Sequence, residues 1–275
     1  MTPTIHALKI LTLNPGGGST RVATFDGAEE IFSVEVKHDQ ASLDAHQSLD
    51  AQLTLRLTTI RGALDAHDAN VADFDAIVGR GGPYRPLPGG TYRINSELLD
   101  DIRAGRIMAD HPSKFGAPLA WALAQEHGLP AFIVDPVSVD ELDPRSRLTG
   151  LPELPRRSLF HALNIKAVAR RHARERGVPL VDLRLIVAHL GSGISVALLR
   201  DGRAIDVNNS ADEGPFSTRR AGTLPASALL KLTEQADFNA GAMKRQMMAQ
   251  GGLLAHLGTA DLGEAEARAA SGDVE

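Results

Sequence analysis

Two stretches, ILTLNPGGGSTRVATFDG at residues 10–27 and LIVAHLGSGISVALLRDG at residues 185–202, repeat one layout without a gap. Each runs from an apolar strand through one polar residue (Asn14, His189) into a Gly-x-Gly turn. A second strand and an Asp-Gly turn (Asp26-Gly27, Asp201-Gly202) follow. A turn made of glycine lets backbone N–H groups approach an anion, because no Cβ stands in the way. Two copies of one hairpin imply two copies of one domain, in a protein that handles phosphate.

Outward from the first copy, strand-like runs at 6–14, 19–26 and 30–36 form an antiparallel meander. Leu49, Leu53, Leu57, Ile60 and Leu64 recur at helical spacing and predict a helix over 41–67. A buried strand at 74–80, a helix over 113–128 opened by Ser113 and a strand at 131–135 complete a mixed sheet with helices on its faces. Pro136, Pro144, Pro152 and Pro155 then mark a boundary near 150, giving domains 1–150 and 151–275. An arginine-rich helix over 157–176 leads into the second meander, at 184–190, 194–200 and 203–208. About 145 residues separate Asn14 from His161 but only about 86 follow His189, so roughly 60 residues of a second full copy are lacking. The polar tail supplies no buried strand, and the second sheet is expected to be incomplete.

Composition narrows the partners. The chain has 275 residues, 43% of them hydrophobic, enough for two buried cores. A net charge of -5 argues against nucleic-acid or anionic-membrane binding and for a small-molecule partner. The absence of cysteine excludes disulfides, thiol nucleophiles and thiolate metal sites, and the ten histidines show no metal-ligand spacing. No apolar run reaches the ~18 residues of a membrane span, and the N-terminus lacks a basic leader. A cytoplasmic protein is expected.

Several residues carry candidate chemistry. In the first loop the N–H groups of Gly16, Gly17 and Gly18 can face one anion, with side-chain hydrogen bonds from Asn14, Ser19 and Thr20. An ordinary glycine hairpin is the bland alternative, and neither GxxxxGK[ST] nor GxGxxG is present. His189, before Gly191, Ser192 and Gly193, can donate to a phosphoryl oxygen or be a satisfied half-buried histidine. Arg80 emerges from a strand among glycines, where its planar fork suits a carboxylate or phosphate, or a structural ion pair. The Arg219-Arg220 pair offers a second clamp or a solvated surface. Asp135 ends a strand and can hold hydrated Mg2+ or cap the following turn. His161, in SLFHALN on the arginine-rich helix, can face a cleft or the core.

NPGGGST, VGRGGPYRPLPGGTYRIN, HPSKFGAPLA, AFIVDPV, LTGLPELPRRSLFHALN, IVAHLGSGISV and GPFSTRRAGTLP, in this order, resemble the acetate and butyrate kinase family. That family lies in the superfamily of sugar kinases and actin-like ATPases. The resemblance implies an α/β, duplicated ribonuclease-H-like fold: two domains with mixed five-stranded sheets facing an ATP cleft, the second incomplete. It also implies reversible phosphoryl transfer between ATP and a short-chain carboxylate, giving an acyl phosphate and ADP, with Mg2+. Asn14 to Thr20 then match the first phosphate motif and His189 to Gly193 the second. Arg80 and Arg220 match the arginines that hold carboxylate and transferring phosphoryl; Arg220 is chosen over Arg219 because it directly precedes the Ala-Gly-Thr turn. Asp135 matches the aspartate near magnesium, and His161 a supporting histidine. VGRGGPYRPLPGG is closer to the butyrate branch than to the acetate branch. The family's last strands, its GG-containing adenine loop and one acidic magnesium residue have no counterpart in the 275 residues. The expected activity of this form is therefore weak, with a non-catalytic phosphate-binding remnant and an acetate kinase as the alternatives. Self-association is expected through apolar surface left by an unfinished sheet.

Overall fold

Strand β1 (Lys9–Pro15) buries Leu11 and Leu13, the two-residue period of a strand with a covered face. The computed structural model describes residues 7–45 and 48–273. Residue 6, where the first strand is expected to begin, and residues 46–47, inside the first expected helix, lie outside that range. The chain divides into two compact units after Val139, early in the proline-bearing stretch that predicts a boundary near 150.

In the first unit β1 pairs antiparallel with β2 (Ser19–Asp26), and β2 with β3 (Glu29–Lys37). On its other side β1 runs parallel to β4 (Ala76–Arg80), and β4 runs parallel to β6 (Ala131–Val134). These are the five expected strands. A short antiparallel strand, β5 (Thr91–Arg93), adds a sixth at the edge, giving the order β3-β2-β1-β4-β6-β5. The sequence conceals β5 because three residues after Gly89-Gly90 are too few to carry a readable alternation.

The expected single helix over 41–67 is two helices, α1 (Gln40–Ala45) and α2 (Leu49–Asp65). Ser48 caps the second: its Oγ accepts the N–H of Ala51, satisfying one of the donors that a helix start leaves open. After α3 (Ser96–Arg103), the helix expected from Ser113 starts later, as α4 (Gly116–Glu126) preceded by a 3-10 turn. Here His111, not Ser113, is the capping residue, because Pro112 follows it and fits the first helical turn. Helices α2 and α4 close the core with Ile60, Leu64, Leu119 and Leu123 against Leu11, Leu13, Ile77 and Ile133. Burial of each such side chain is worth roughly 1.5–3 kcal/mol.

The second unit has a three-stranded antiparallel sheet, β7 (Leu185–Leu190), β8 (Ile194–Arg200) and β9 (Arg203–Val207). Helix α5 (Ala162–Arg176) buries Ile165, Ala169 and Ala173, and packs on β7. It ends at Gly177, whose φ of 66° is the left-handed stop that glycine adopts without cost. The helix starts at Ala162, not near 157, because His161 at ψ 59° is not helical. His161 therefore stands at the helix entrance and not on its surface. Four short helices, α6 (Ala226–Thr233), α7 (Ala240–Arg245), α8 (Leu253–Leu257) and α9 (Leu262–Ala270), follow, with no further strand among the described residues. None of the described helices is long and apolar enough to cross a membrane.

Candidate active site

In the first unit, parallel pairing of Leu13 with Gly79 brings the ends of β1 and β4 side by side. Asn14 and Arg80 therefore leave the sheet as neighbours, and Arg80 Nη1 donates to Asn14 Oδ1 at 3.1 Å. Gly79 and Gly116 allow this: a Cβ on Gly79 would lie 2.1 Å from the Gly116 carbonyl oxygen, and one on Gly116 2.0 Å from that of Arg80. Backbone packs directly on backbone, so α4 begins against the strand that carries the arginine. Burial draws the Arg80 guanidinium below its ordinary pKa, yet it keeps its charge near neutral pH. Among the described residues no carboxylate pairs with it.

The loop above this pair consists of Gly16, Gly17 and Gly18. The N–H of Gly16 donates to Ser19 O at 2.7 Å and the carbonyl of Gly18 accepts from His38 N at 2.9 Å, which closes the turn. Ser19 Oγ donates to Glu35 at 2.6 Å. Thr20, expected to face an anion, is turned inward: it is fully buried and its Oγ1 lies 2.8 Å from His38 Nε2. Strand alternation explains the difference, since Ser19 and Thr20 must point to opposite faces of β2. The other side chain that the sequence reading missed is Arg56 of α2. It is 2% exposed and donates from Nη1 to Gly16 O at 3.0 Å and from Nη2 to Gly17 O at 2.8 Å. The signal was present, because Arg56 falls on the stripe of Leu53 and Ile60, where a charged residue is out of place.

Asp135 follows β6 with φ at 38°, a backbone region that non-glycine residues rarely adopt. Two bonds to one residue hold it there: Asp135 Oδ1 accepts Gly90 N–H at 2.8 Å, and Asp135 N–H donates to Gly90 O at 2.9 Å. Its carboxylate is 1% exposed. Among the described residues no three His, Asp or Glu side chains gather into a metal cage. The donors present thus fit direct coordination of an ion poorly.

In the second unit the two candidate histidines meet. The rings of His161 and His189 stack with centroids 3.8 Å apart and planes 13° from parallel. Ser195 Oγ lies 2.8 Å from His161 Nδ1, and Asn164 Oδ1 lies 3.0 Å from His189 Nδ1. Antiparallel pairing of His189 with Ser195 and the start of α5 at Ala162 set this geometry. In the loop that follows, Ser217 Oγ donates to Ser192 O at 2.6 Å. Arg220 lies against Gly193, whose added Cβ would sit 2.7 Å from the guanidinium. Its Nη1 donates to Ser210 O at 2.8 Å, and burial draws its pKa below the ordinary value. As with Arg80, no described carboxylate pairs with it. Arg219 is exposed. Ser195, Asn164, Ser210 and Ser217 were not legible as site residues, because each acts by orienting a neighbour distant in sequence.

Residues 153–274 match the model of the acetokinase family. "Butyrate kinase 2" of Clostridium acetobutylicum is 41% identical over 268 residues, covering 97% of this chain and 75% of that protein. "Probable butyrate kinase 2" of Caldanaerobacter subterraneus is 43% identical over 265 residues, covering 96% of this chain and 75% of that protein. The crystal structure of Porphyromonas gingivalis acetate kinase superposes with a TM-score of 0.72 at 18% identity, covering 97% of this chain and 74% of the other. At that identity the likeness bears on the fold, the duplicated architecture that the two hairpins imply.

Proposed function

The chain belongs to the acetokinase family, and from that premise we propose that it catalyses reversible phosphoryl transfer between ATP and a short-chain carboxylate of the butyrate type. A carboxylate oxygen attacks the γ-phosphorus; the new O–P bond gives an acyl phosphate as the bond to the β-phosphate oxygen breaks and ADP leaves. The carboxylate is already a nucleophile, so no general base is required. Such a transfer asks mainly for alignment and for positive charge around the phosphoryl oxygens.

The observation that carries this reading is that each unit has a half-buried guanidinium beside a glycine turn, Arg80 in the first and Arg220 in the second, with no carboxylate partner among the described residues. A cation kept partly out of water without a counter-ion is costly unless an anion completes the site. Asn14 steers Arg80, and the first loop offers backbone donors to phosphate. His189, braced by Asn164 and by the ring of His161, is the donor to charge developing in the transition state. Magnesium would neutralise the nucleotide's phosphates; Asp135 is the acidic side chain that the family resemblance matches to it. A need for ATP supports a cytoplasmic location.

The test is ATP plus butyrate with hydroxylamine to trap the acyl phosphate. Butyryl hydroxamate that requires both substrates is expected, and its absence overturns the proposal.

A further inference from the structure

We propose that Arg56 is a positioning residue for the first glycine loop: it grips the carbonyls of Gly16 and Gly17 from behind, and so presents the N–H groups of Gly17 and Gly18 to a phosphate-class oxyanion. The inference rests on the phosphate-handling reading of that loop and gives it a mechanism.

The argument starts from the peptide bond. In a trans peptide the C=O and the N–H of the next residue point in opposite directions. Arg56 Nη1 and Nη2 fix the carbonyls of Gly16 and Gly17 on the inner side, so the N–H groups of Gly17 and Gly18 are turned outward. Both glycines are exposed, and among the described residues no acceptor meets either N–H. Two outward donors side by side make an anion-binding concavity.

Charge supports the same assignment. Arg56 is buried, its Nε has no partner, and no carboxylate among the described residues pairs with it. Its guanidinium carbon lies 4.7 Å from the centroid of the Phe115 ring, which contributes attraction but no counter-charge. His38 is drawn down to about 4, chiefly by burial and then by the charge of Arg56, so it is neutral near pH 7 and adds no second cation. The loop thus sits on one buried positive charge that an arriving anion would balance.

Gly17 separates this role from a purely architectural one. A Cβ there would meet nothing within 4 Å, and its φ is not positive. The fold does not need glycine at position 17; close approach of a ligand does.

The experiment follows the Gly17 and Gly18 amide resonances of the 15N-labelled chain as inorganic phosphate is added. Wild type is expected to show saturable shifts at both. Arg56→Met, checked for folding by circular dichroism, is expected to bind at least about tenfold more weakly, the scale of losing charge-assisted hydrogen bonds. Arg56→Lys, which keeps the charge but not the fork, is expected to fall between them. Failure of wild type to shift overturns the phosphate reading of the loop, and the proposal with it. Wild-type affinity in Arg56→Met overturns the role of Arg56 alone. Should that variant not fold, wild-type affinity and shifts in Arg56→Lys overturn it instead.

Discussion

The two glycine hairpins share a sequence layout but differ in what stands behind them. The first is held by Arg56 gripping its carbonyls, which leaves backbone N–H groups as the outward chemistry. The second has side chains at its turn: Arg220 lies on Gly193, and His189 stacks on His161. Their sheets differ in the same sense. Strand β1 pairs on both edges and buries its leucines, whereas β7, among the described residues, pairs with β8 alone and leaves Ile186 77% and Leu190 74% exposed. On the proposed function, one hairpin holds phosphate through backbone and the other places cationic and imidazole donors.

The largest expected break in that comparison is at Gly193. Alanine there displaces the Arg220 guanidinium, so Gly193→Ala should lower kcat for hydroxamate formation by about 10³, as loss of a transition-state arginine does. An unchanged kcat would detach Arg220 from the second loop. His189→Ala removes one donor and should cost about 10² in kcat with KM for butyrate nearly constant, by steady-state kinetics. Gly17→Ala, at the equivalent turn of the first hairpin, should fold normally and weaken phosphate binding about tenfold, the size of one lost charge-assisted contact. Calorimetry that finds wild-type affinity would show that no ligand approaches position 17.

A further effect, on stability and not on turnover, concerns the inner support of the first loop. The pKa of His38 is lowered to about 4 from an ordinary 6.5, so between those values the unfolded chain binds a proton that the native state refuses. Stability therefore rises with pH from about 4 to about 6.5 and is lost as the pH falls through that window, by on the order of 2–3 kcal/mol. Urea midpoints across that range should show the slope, and His38→Gln should flatten it. An equal slope in the variant would assign the pH dependence elsewhere.

The sequence made the parts governed by local pattern legible. Alternation located β2, β3 and β7 to β9 to within one residue at each end and β1 with a start three residues too early, and the echo of Asn14 and His189 pointed to both loops. Arg80 and His189 stood out because glycines and a strand end set each apart, whereas His161 and Arg220 were singled out through the family resemblance. Thr20 could not be placed, because the loop's polarity suggested an outward hydroxyl while strand register sends it to His38. Arg56 breaks the apolar stripe of α2, but its partners, like that of Asn164, lie far away in sequence, and only the packing of a helix on a sheet brings them together.

The most direct measurement compares trapped butyryl hydroxamate from ATP and butyrate in wild type and in Arg220→Ala. The account predicts product from wild type and about a 10³-fold lower kcat in the variant. Equal turnover by the two, or product that does not require butyrate, would contradict it.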